Sequence, residues 1–146
     1  MIVTRVMTRE DLPEVLELWR SSEGIALGES DTSEQVAAFL ARNPGLSQVA
    51  IEEGAVIGAV LCGHDRRRGF LHHLAVARTH RHRGIGRTLV ERCIEGLSRE
   101  GIRRCHLLVF RENQEARGFW ERMGWSLRDH LRIMSREIQA PPGDMP

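Results

Sequence analysis

Residues 70–88 read FLHHLAVARTHRHRGIGRT, an apolar segment followed by a basic turn that contains two glycines. Gly84 and Gly86 stand two apart, where the apolar spacing changes from that of a strand to that of a helix. Because glycine has no Cβ, the backbone at such a turn can approach a bulky anion closely. The amides of a first helical turn have no intrahelical acceptor, and the positive end of the helix dipole lies beside them. The stretch therefore predicts a strand, turn and helix that bind a pyrophosphate, with a plain basic helix start as the alternative.

Apolar periodicity predicts the rest of the chain as an alternation of strands and helices. The expected strands cover residues 2–6, 48–52, 55–62, 70–77, 104–110, 125–127 and 131–138. Helices are expected after the capping pair Thr8 and Asp11 and over residues 33–41, 84–99 and 113–123. This order predicts a three-layer α/β (α+β) sandwich with a mixed sheet.

Length and composition favour one globular domain over residues 1–138, followed by a flexible tail at 139–146. The chain has 146 residues, of which 41% are hydrophobic and 28% are charged. Its apolar runs are far shorter than the ~20 residues of a membrane span. Arg5 and Arg9 make the start of the chain unlike a secretory signal, so a cytoplasmic protein without a membrane partner is expected.

The cysteines and histidines do not indicate a metal site. Cys62, Cys93 and Cys105 are odd in number and stand in apolar segments without metal-ligand spacing. They are therefore expected to be buried reduced thiols. The seven histidines are scattered, apart from the adjacent His72 and His73, and no metal is expected.

Charges are segregated along the chain. Residues 66–87 contain seven arginines and no acid, whereas residues 21–41 contain four acids and no cation. Two solvated faces would explain the pattern. The segregation also suits a protein that handles an anionic and a cationic molecule in neighbouring places.

Two motifs resemble those of a known family. The segment RHRGIG at residues 81–86, which follows LAV at residues 74–76, resembles the acyl-CoA-binding motif of the GNAT superfamily of acetyl-CoA-dependent N-acyltransferases. The pattern N-x-x-A-x-x-F-W-x-x-x-G-W at residues 113–125 resembles the later motif of that family. The closer resemblance, through CGHDRRRG at 62–69 and LHHLAV at 71–76, is to small single-domain bacterial members of the YpeA kind. The resemblance implies a mostly antiparallel sheet of six to seven strands flanked by four helices.

The resemblance also implies which residues bind the co-substrate acetyl-CoA. The backbone of Leu74, Ala75 and Val76 would bind the pantetheine arm like an added strand. Asn113 would meet the cofactor where two central strands separate, and Phe119 and Trp120 would pack near it or form a core stripe instead. The residues of the pyrophosphate turn would be Arg81, His82, Arg83, Gly84, Ile85, Gly86, Arg87 and Thr88.

The sequence departs from the family pattern at both usual proton-transfer positions. Trp120 stands where many members have a tyrosine, and an indole cannot act as that acid. Phe70 stands where many members have a carboxylate base, which leaves His72 and His73 as candidate bases. Neighbouring strand residues point to opposite faces, so His72, which shares the parity of Phe70, is expected to be the base. His73 is expected to face the other side, and either histidine could instead be a packed core residue.

The leading interpretation is an N-acetyltransferase that transfers acetyl from acetyl-CoA to a primary amine of a small molecule, peptide or protein. Glu23, Glu29 and Asp31 are the candidate residues for binding a cationic acceptor. The alternative is an acyl-CoA-binding sensor or interaction module without turnover. Nucleic-acid binding is disfavoured by a net charge of +1 and the absence of tyrosine. Family habit also implies a homodimer as a candidate assembly.

Overall fold

The computed structural model describes residues 1–144, and a five-stranded sheet forms their centre. The strands follow one another across the sheet in sequence order, antiparallel from first to fourth, and the fifth pairs parallel with the fourth. The strands are β1 (Ile2–Val6), β2 (Gln48–Glu52), β3 (Ala55–His64), β4 (Gly69–Val76) and β5 (Cys105–His106). The helices are α1 (Leu12–Arg20), α2 (Ser33–Arg42), α3 (Ile85–Arg99) and α4 (Gln114–Arg122). Short 3-10 turns occupy Arg9–Asp11, Glu29–Asp31, Arg78–His80 and Pro142–Asp144.

The chain divides into two compact units, Met1–Asn113 and Gln114–Pro146. The first contains the sheet with α1, α2 and α3, and the second contains α4 and the residues after it. The single domain over residues 1–138 and the tail at 139–146 stay predictions, and residues 145 and 146 of that tail lie outside the described residues. No helix within residues 1–144 is long and apolar enough to cross a membrane.

Helices α1 and α2 cover one face of the sheet. The apolar stripe of α1 is completely or almost completely buried, and it packs with alternate residues of β3 and β4 such as Ala59, Leu61 and Ala75. The start of α1 is fixed by Asp11, whose carboxylate accepts a hydrogen bond from the Thr8 amide at 2.8 Å. Arg5 donates two further hydrogen bonds to the same carboxylate, each 2.8 Å long. This face is called the α1/α2 face below.

Helix α3 covers the opposite face, because the residues of β3 that alternate with Ala59 and Leu61 meet it. A Cβ on Gly58 would lie 3.0 Å from Leu89 Cδ1, and one on Gly69 would lie 2.7 Å from Leu97 Cδ1. The glycines therefore let α3 pack closely against the sheet. Cys62 and Cys93 are buried free thiols here, and hydrogen bonding between them, followed by burial, raises the pKa of Cys62.

The expectation of six to seven strands is wrong for the described residues, which form a sheet of five. The predicted strand at 104–110 shortens to Cys105–His106, and the predicted strands at 125–127 and 131–138 do not form. Apolar alternation reports a local preference, whereas a strand also needs a hydrogen-bonded partner and a face to bury. Ile133 and Ile138 remain 66% and 93% exposed, so burial does not stabilise a strand at these positions.

Candidate active site

A β-bulge interrupts β4 in the middle of the quoted stretch. In the β3–β4 ladder Ala59 pairs with Ala75 and Leu61 pairs with His72, so two residues of β4 lie opposite the single Val60. His73, the first of the two, has a φ of +57°. A residue other than glycine in this left-handed region costs about 1–3 kcal/mol and persists where the surroundings hold it. Bulges of this kind turn a side chain away from its regular direction.

The bulge places both β4 imidazoles on the α1/α2 face. The His73 ring centroid lies 5.1 Å from that of Trp19 on α1, and the His72 centroid lies 6.0 Å from that of Phe39 on α2. The two imidazole centroids are 6.4 Å apart. The expectation that His73 faces the other side of the sheet is therefore wrong. Strict alternation holds only in a regular strand, and the extra residue of a bulge breaks it.

His73 is held by a carboxylate that lies 42 positions earlier in the chain. Its Nε2 is 3.0 Å from Oδ1 of Asp31, in the 3-10 turn before α2. The other oxygen of Asp31 accepts a hydrogen bond from the Gly28 amide at 2.9 Å. The side chains of His73 and Asp31 are 21% and 13% exposed, so the pair is shielded but still open to solvent.

His72 lies among rings. It stacks on Phe70 with a centroid distance of 6.0 Å and an interplanar angle of 6°, and it meets Phe39 edge-on. Burial lowers the pKa of His72, the charge of His73 lowers it further, and Asp31 opposes both. This environment favours the neutral imidazole, which is the form that accepts a proton.

The strands β4 and β5 separate soon after they meet. Their parallel pairing covers only Gly69 with Cys105 and Phe70 with His106. Beyond this point the edge of β4 that carries Leu74, Ala75 and Val76 is not paired with β5. An extended ligand could bind such an edge through backbone hydrogen bonds. The predicted pantetheine-binding backbone thus lies at a suitable edge.

Asn113 stands at the end of the first unit, after β5. Its side-chain amide lies against the loop that follows α1, where a Cβ on Gly24 would come within 2.9 Å of Asn113 Nδ2. Gly24 has a φ of +77°, which glycine adopts without strain. The residue predicted to meet the cofactor is therefore brought to the acidic loop between α1 and α2.

The turn between β4 and α3 has the backbone of an anion cradle. His82 and Gly84 have φ values of +65° and +78°, and α3 begins at Ile85. The Thr88 amide donates to Gly84 O at 3.1 Å and is the first amide with an intrahelical acceptor, so the amides of Gly84, Ile85, Gly86 and Arg87 have none. Left-handed residues in alternation with others turn successive N–H groups towards one point. The predicted pyrophosphate turn thus carries free helical donors.

The segment between β4 and the cradle is anchored to β2, two strands away in the sheet, by a contact that the sequence does not indicate. Nε2 of His80 lies 2.7 Å from Oε1 of Glu52 at the end of β2, and Thr79 Oγ1 lies 2.8 Å from His80 Nδ1. The hydrogen bond with His80 lowers the pKa of Glu52. This contact holds the segment that leads from β4 into the cradle, and nothing in the local sequence pairs residues 52 and 80.

Acidic and basic segments meet beside the cradle. Oε1 of Glu23 lies 2.7 Å from Arg78 Nη2 and 3.4 Å from Arg81 Nη1. Arg81 also donates from Nε to the carbonyl of Val76 at 3.1 Å. Of the three predicted acceptor-binding acids, Glu23 is thus paired with arginines and Asp31 with His73. Glu29 is exposed and forms no ion pair within residues 1–144.

A cleft of about 370 Å³ lies at this meeting point. Leu18, Ser21 and Ser22 at the end of α1 form one wall, and residues 76–79 with Arg81 form the other. Serine and threonine hydroxyls and the side chains of Arg78 and Arg81 line it together with the apolar Leu18, Val76 and Ala77. It is large enough for part of a small ligand.

The second unit carries the other two predicted cofactor residues. Within it the Phe119 and Trp120 ring centroids are 5.2 Å apart, and those of Trp120 and Trp125 are 5.1 Å apart. The Trp125 amide also bonds to the Trp120 carbonyl at 3.0 Å. Trp120 thus packs between two aromatic rings.

The part of the chain that the structure describes contains no candidate metal site. No group of three or more histidine, cysteine, aspartate and glutamate side chains there is arranged to hold an ion.

The architecture of the chain is that of N-acetyltransferases with solved structures. The PaiA N-acetyltransferase of Thermoplasma acidophilum, in complex with coenzyme A, superposes with a TM-score of 0.79 at 23% identity over 88% of this chain and 92% of that chain. AAC(6')-Iy, in complex with the bisubstrate analogue CoA-S-monomethyl-acetylneamine, superposes with a TM-score of 0.75 at 15% identity over 96% and 99%. At these identities the two structures show the fold.

Sequence comparison then defines the family. The model of the acetyltransferase (GNAT) family matches residues 12–125, so the chain belongs to this family. An acetyltransferase of Yersinia enterocolitica is 28% identical over 134 residues, which cover 92% of this chain and 94% of that protein. The predicted family is thereby confirmed, as is a mixed α/β fold with four helices and a mostly antiparallel sheet.

Proposed function

We propose that the protein transfers the acetyl group of acetyl-CoA to a primary amine of a small molecule, a peptide or a protein. The observation that carries the proposal is the cradle from Arg81 to Thr88, which follows the unpaired edge of β4. The cradle offers amides and arginine side chains to a pyrophosphate, and the edge offers backbone groups to an extended pantetheine arm. The family match and a fold neighbour that binds coenzyme A support the same reading.

The proposed reaction places the thioester beside the β4 bulge. The amine nitrogen attacks the thioester carbonyl carbon, the C–S bond breaks, and the thiolate of coenzyme A leaves with the bonding electron pair. The acceptor arrives as an ammonium and loses two protons in all, one before the attack and one from the nitrogen after it. Solvent takes the first, and the two imidazoles on the α1/α2 face are the proposed acceptors of the second. Trp120 stands where many members have an acid, so in this proposal the thiolate leaves without a proton from that side chain.

The proposed acceptor is cationic before it reacts. A primary amine is protonated near neutral pH, and a negative potential attracts it. Glu29 and Asp31, in the 3-10 turn before α2, supply that potential, whereas Glu23 in the same loop is already paired with Arg78 and Arg81. A free ammonium group presented by a flexible chain suits such an open, acidic loop.

The experiment is an acetyl-transfer assay on four acceptors that differ in class. Spermidine, L-lysine, a peptide with a free N-terminus and neamine are each incubated with acetyl-CoA and the protein, and release of free thiol and the mass of the acetylated amine are measured. The proposal predicts amine-dependent thiol release and an acetylated product for at least one class. Tight binding of acetyl-CoA with no product from any amine would overturn it in favour of an acyl-CoA sensor.

A further inference from the structure

The pair formed by Asp31 and His73 has the geometry of a base and its positioning group. Asp31 Oδ1 lies 3.0 Å from His73 Nε2, and a carboxylate can only accept at this contact. In the neutral ring the proton is therefore on Nε2, and the lone pair is on Nδ1. Within residues 1–144, Nδ1 of His73 forms no hydrogen bond with the protein. The ring is thus held by one nitrogen and leaves the other one available.

The surroundings of the pair favour a function over packing alone. The bulge holds His73 at a φ of +57°, a conformation that a regular strand would avoid. Strained residues and bulges occur preferentially beside active sites. Asp31 is itself fixed by the Gly28 amide at 2.9 Å, so the carboxylate does not rotate freely.

An unsatisfied donor lies beside the same ring. Trp19 is completely buried, its ring centroid is 5.1 Å from that of His73, and its Nε1 has no hydrogen-bond partner in the part of the chain described here. Buried donors without partners are rare in folded proteins and call for an explanation such as a ligand or water. A polar molecule bound next to His73 would supply one.

His72 differs from its neighbour in each of these respects. It contacts Phe39 and Phe70 through its ring, and no carboxylate hydrogen-bonds to it within residues 1–144. It also lies in the regular part of β4, where it pairs with Leu61. Its rotation and tautomer are therefore not set by a hydrogen bond, as those of His73 are.

We propose that His73 is the catalytic base of the acetyl transfer and that Asp31 is its positioning residue, an inference that rests on the proposed function. Nδ1 of His73 takes one proton from the attacking amine, and the imidazolium that results is stabilised by the Asp31 carboxylate. The proton returns to solvent or to the coenzyme A thiolate when the ring is regenerated. His72 then serves as a neutral wall of the same site.

The test uses variants that keep the fold. His73→Asn removes the imidazole, and asparagine tolerates the left-handed conformation better than alanine. Asp31→Asn keeps the shape of the side chain and removes its charge. Glu34→Gln, an exposed acid in the first turn of α2, is the control for the loss of one negative charge nearby. Initial rates are measured with acetyl-CoA and whichever of the four panel amines the wild type acetylates fastest.

His73→Asn should lower kcat by about 100-fold or more, with KM for acetyl-CoA within two-fold of wild type. Asp31→Asn should lower kcat by at least about 10-fold, again with little change in the KM for acetyl-CoA, and Glu34→Gln should leave both constants unchanged. Nitrogen-15 spectra of the unliganded wild type, recorded at a pH where the His73 ring is neutral, should show its proton on Nε2 and an unprotonated Nδ1. A His73 proton on Nδ1, or a His73→Asn rate within two-fold of wild type, would overturn the proposal.

Two further outcomes have separate meanings. If His72→Ala abolishes turnover while His73→Asn leaves it intact, the base is the other histidine, and the dyad has no catalytic role. If no amine of the panel causes the wild type to release thiol from acetyl-CoA, the proposed function fails. In that case the nitrogen-15 spectra still decide whether Asp31 fixes the His73 ring, because they require no acceptor.

Discussion

The two faces of the sheet are built differently. On the α3 face Leu89 and Leu97 reach the backbone of the strands at glycine positions, and the two thiols there are buried. On the α1/α2 face β4 presents His72 and His73, with Asp31 in hydrogen-bond contact and both imidazoles partly exposed. Both faces contain a buried apolar core, and on the second face it surrounds Trp19, Leu61 and Ala75. Only the second face also carries the two partly exposed imidazoles of β4, so the chemistry is expected there.

A matched pair of glycine substitutions tests this contrast with the largest expected effect on stability. A Cβ on Gly63 would lie 2.6 Å from Phe39 Cζ and 2.7 Å from Asn43 Nδ2, on the α1/α2 face. A Cβ on Gly69 would lie 2.7 Å from Leu97 Cδ1, on the α3 face. Gly63→Ala and Gly69→Ala should each lower the free energy of unfolding by about 1–3 kcal/mol in urea titrations, because both overpack a buried site.

Activity should separate the two variants. Phe39 contacts the His72 ring, so its displacement in Gly63→Ala should lower kcat several-fold, whereas Gly69→Ala should keep the kcat of wild type at a temperature where both are folded. Equal losses of kcat in the two variants would contradict the assignment of chemistry to one face.

The pH dependence of stability tests how the α1/α2 face is anchored. Hydrogen bonds from Arg5 lower the pKa of Asp11 in the folded protein, with smaller contributions from Thr8. A lowered folded pKa means that the carboxylate stabilises the fold at pH values above the unfolded pKa of ~3.9 and that this stability is lost as the pH falls through the folded pKa. Wild type should exceed Asp11→Asn by about 1 kcal/mol at pH 5–7, because Arg5 is almost half exposed.

Urea titrations at several pH values measure this difference between wild type and Asp11→Asn. The difference should shrink below pH ~4 and vanish in stronger acid. A difference that stays constant down to pH 2 would show that the Asp11 charge does not stabilise the start of α1.

The smallest expected effect concerns Trp120. Its ring packs between Phe119 and Trp125 in the second unit, and an indole cannot act as the acid that protonates a thiolate. Trp120→Phe should therefore weaken coenzyme A binding by only a few-fold and leave kcat nearly unchanged, as measured by calorimetry and initial rates. A loss of ~100-fold or more in kcat with unchanged affinity would show that Trp120 takes part in the chemistry.

Much of the fold follows from local sequence patterns. The strands β1 and β2 have the predicted bounds, and α3 begins one residue after the predicted start. Alternation and helical spacing are strong in these segments, and glycine marks the boundary of α3. The C-terminal strands were predicted wrongly because apolar alternation at residues 131–138 carries no information about whether a partner strand is present.

The candidate site was predictable only where a local motif defines it. The glycines of the cradle identify the turn before α3, but the β4 bulge has no glycine or proline to indicate it, and it changes the face of His73. The contact of His73 with Asp31 joins residues 42 positions apart, and that of His80 with Glu52 spans 28. Such contacts arise from tertiary packing, so a single sequence gives no direct signal for them.

Coenzyme A binding by the cradle from Arg81 to Thr88 is the basis of the proposed function, and a pair of valine variants tests it. Gly84 and Gly101 have φ values of +78° and +83°, and a Cβ on either would meet no atom within 4 Å. Gly84 precedes α3 and Gly101 follows it, so Gly84→Val and Gly101→Val impose similar backbone strain at opposite ends of one helix.

The measurement is the thermal shift caused by coenzyme A in wild type and both variants. At ~100 times its Kd the ligand should stabilise wild type and Gly101→Val by about 2.7 kcal/mol, whereas Gly84→Val should fold without ligand and gain almost nothing. A shift in Gly84→Val equal to that of wild type would contradict the account, because coenzyme A would then bind elsewhere on the protein.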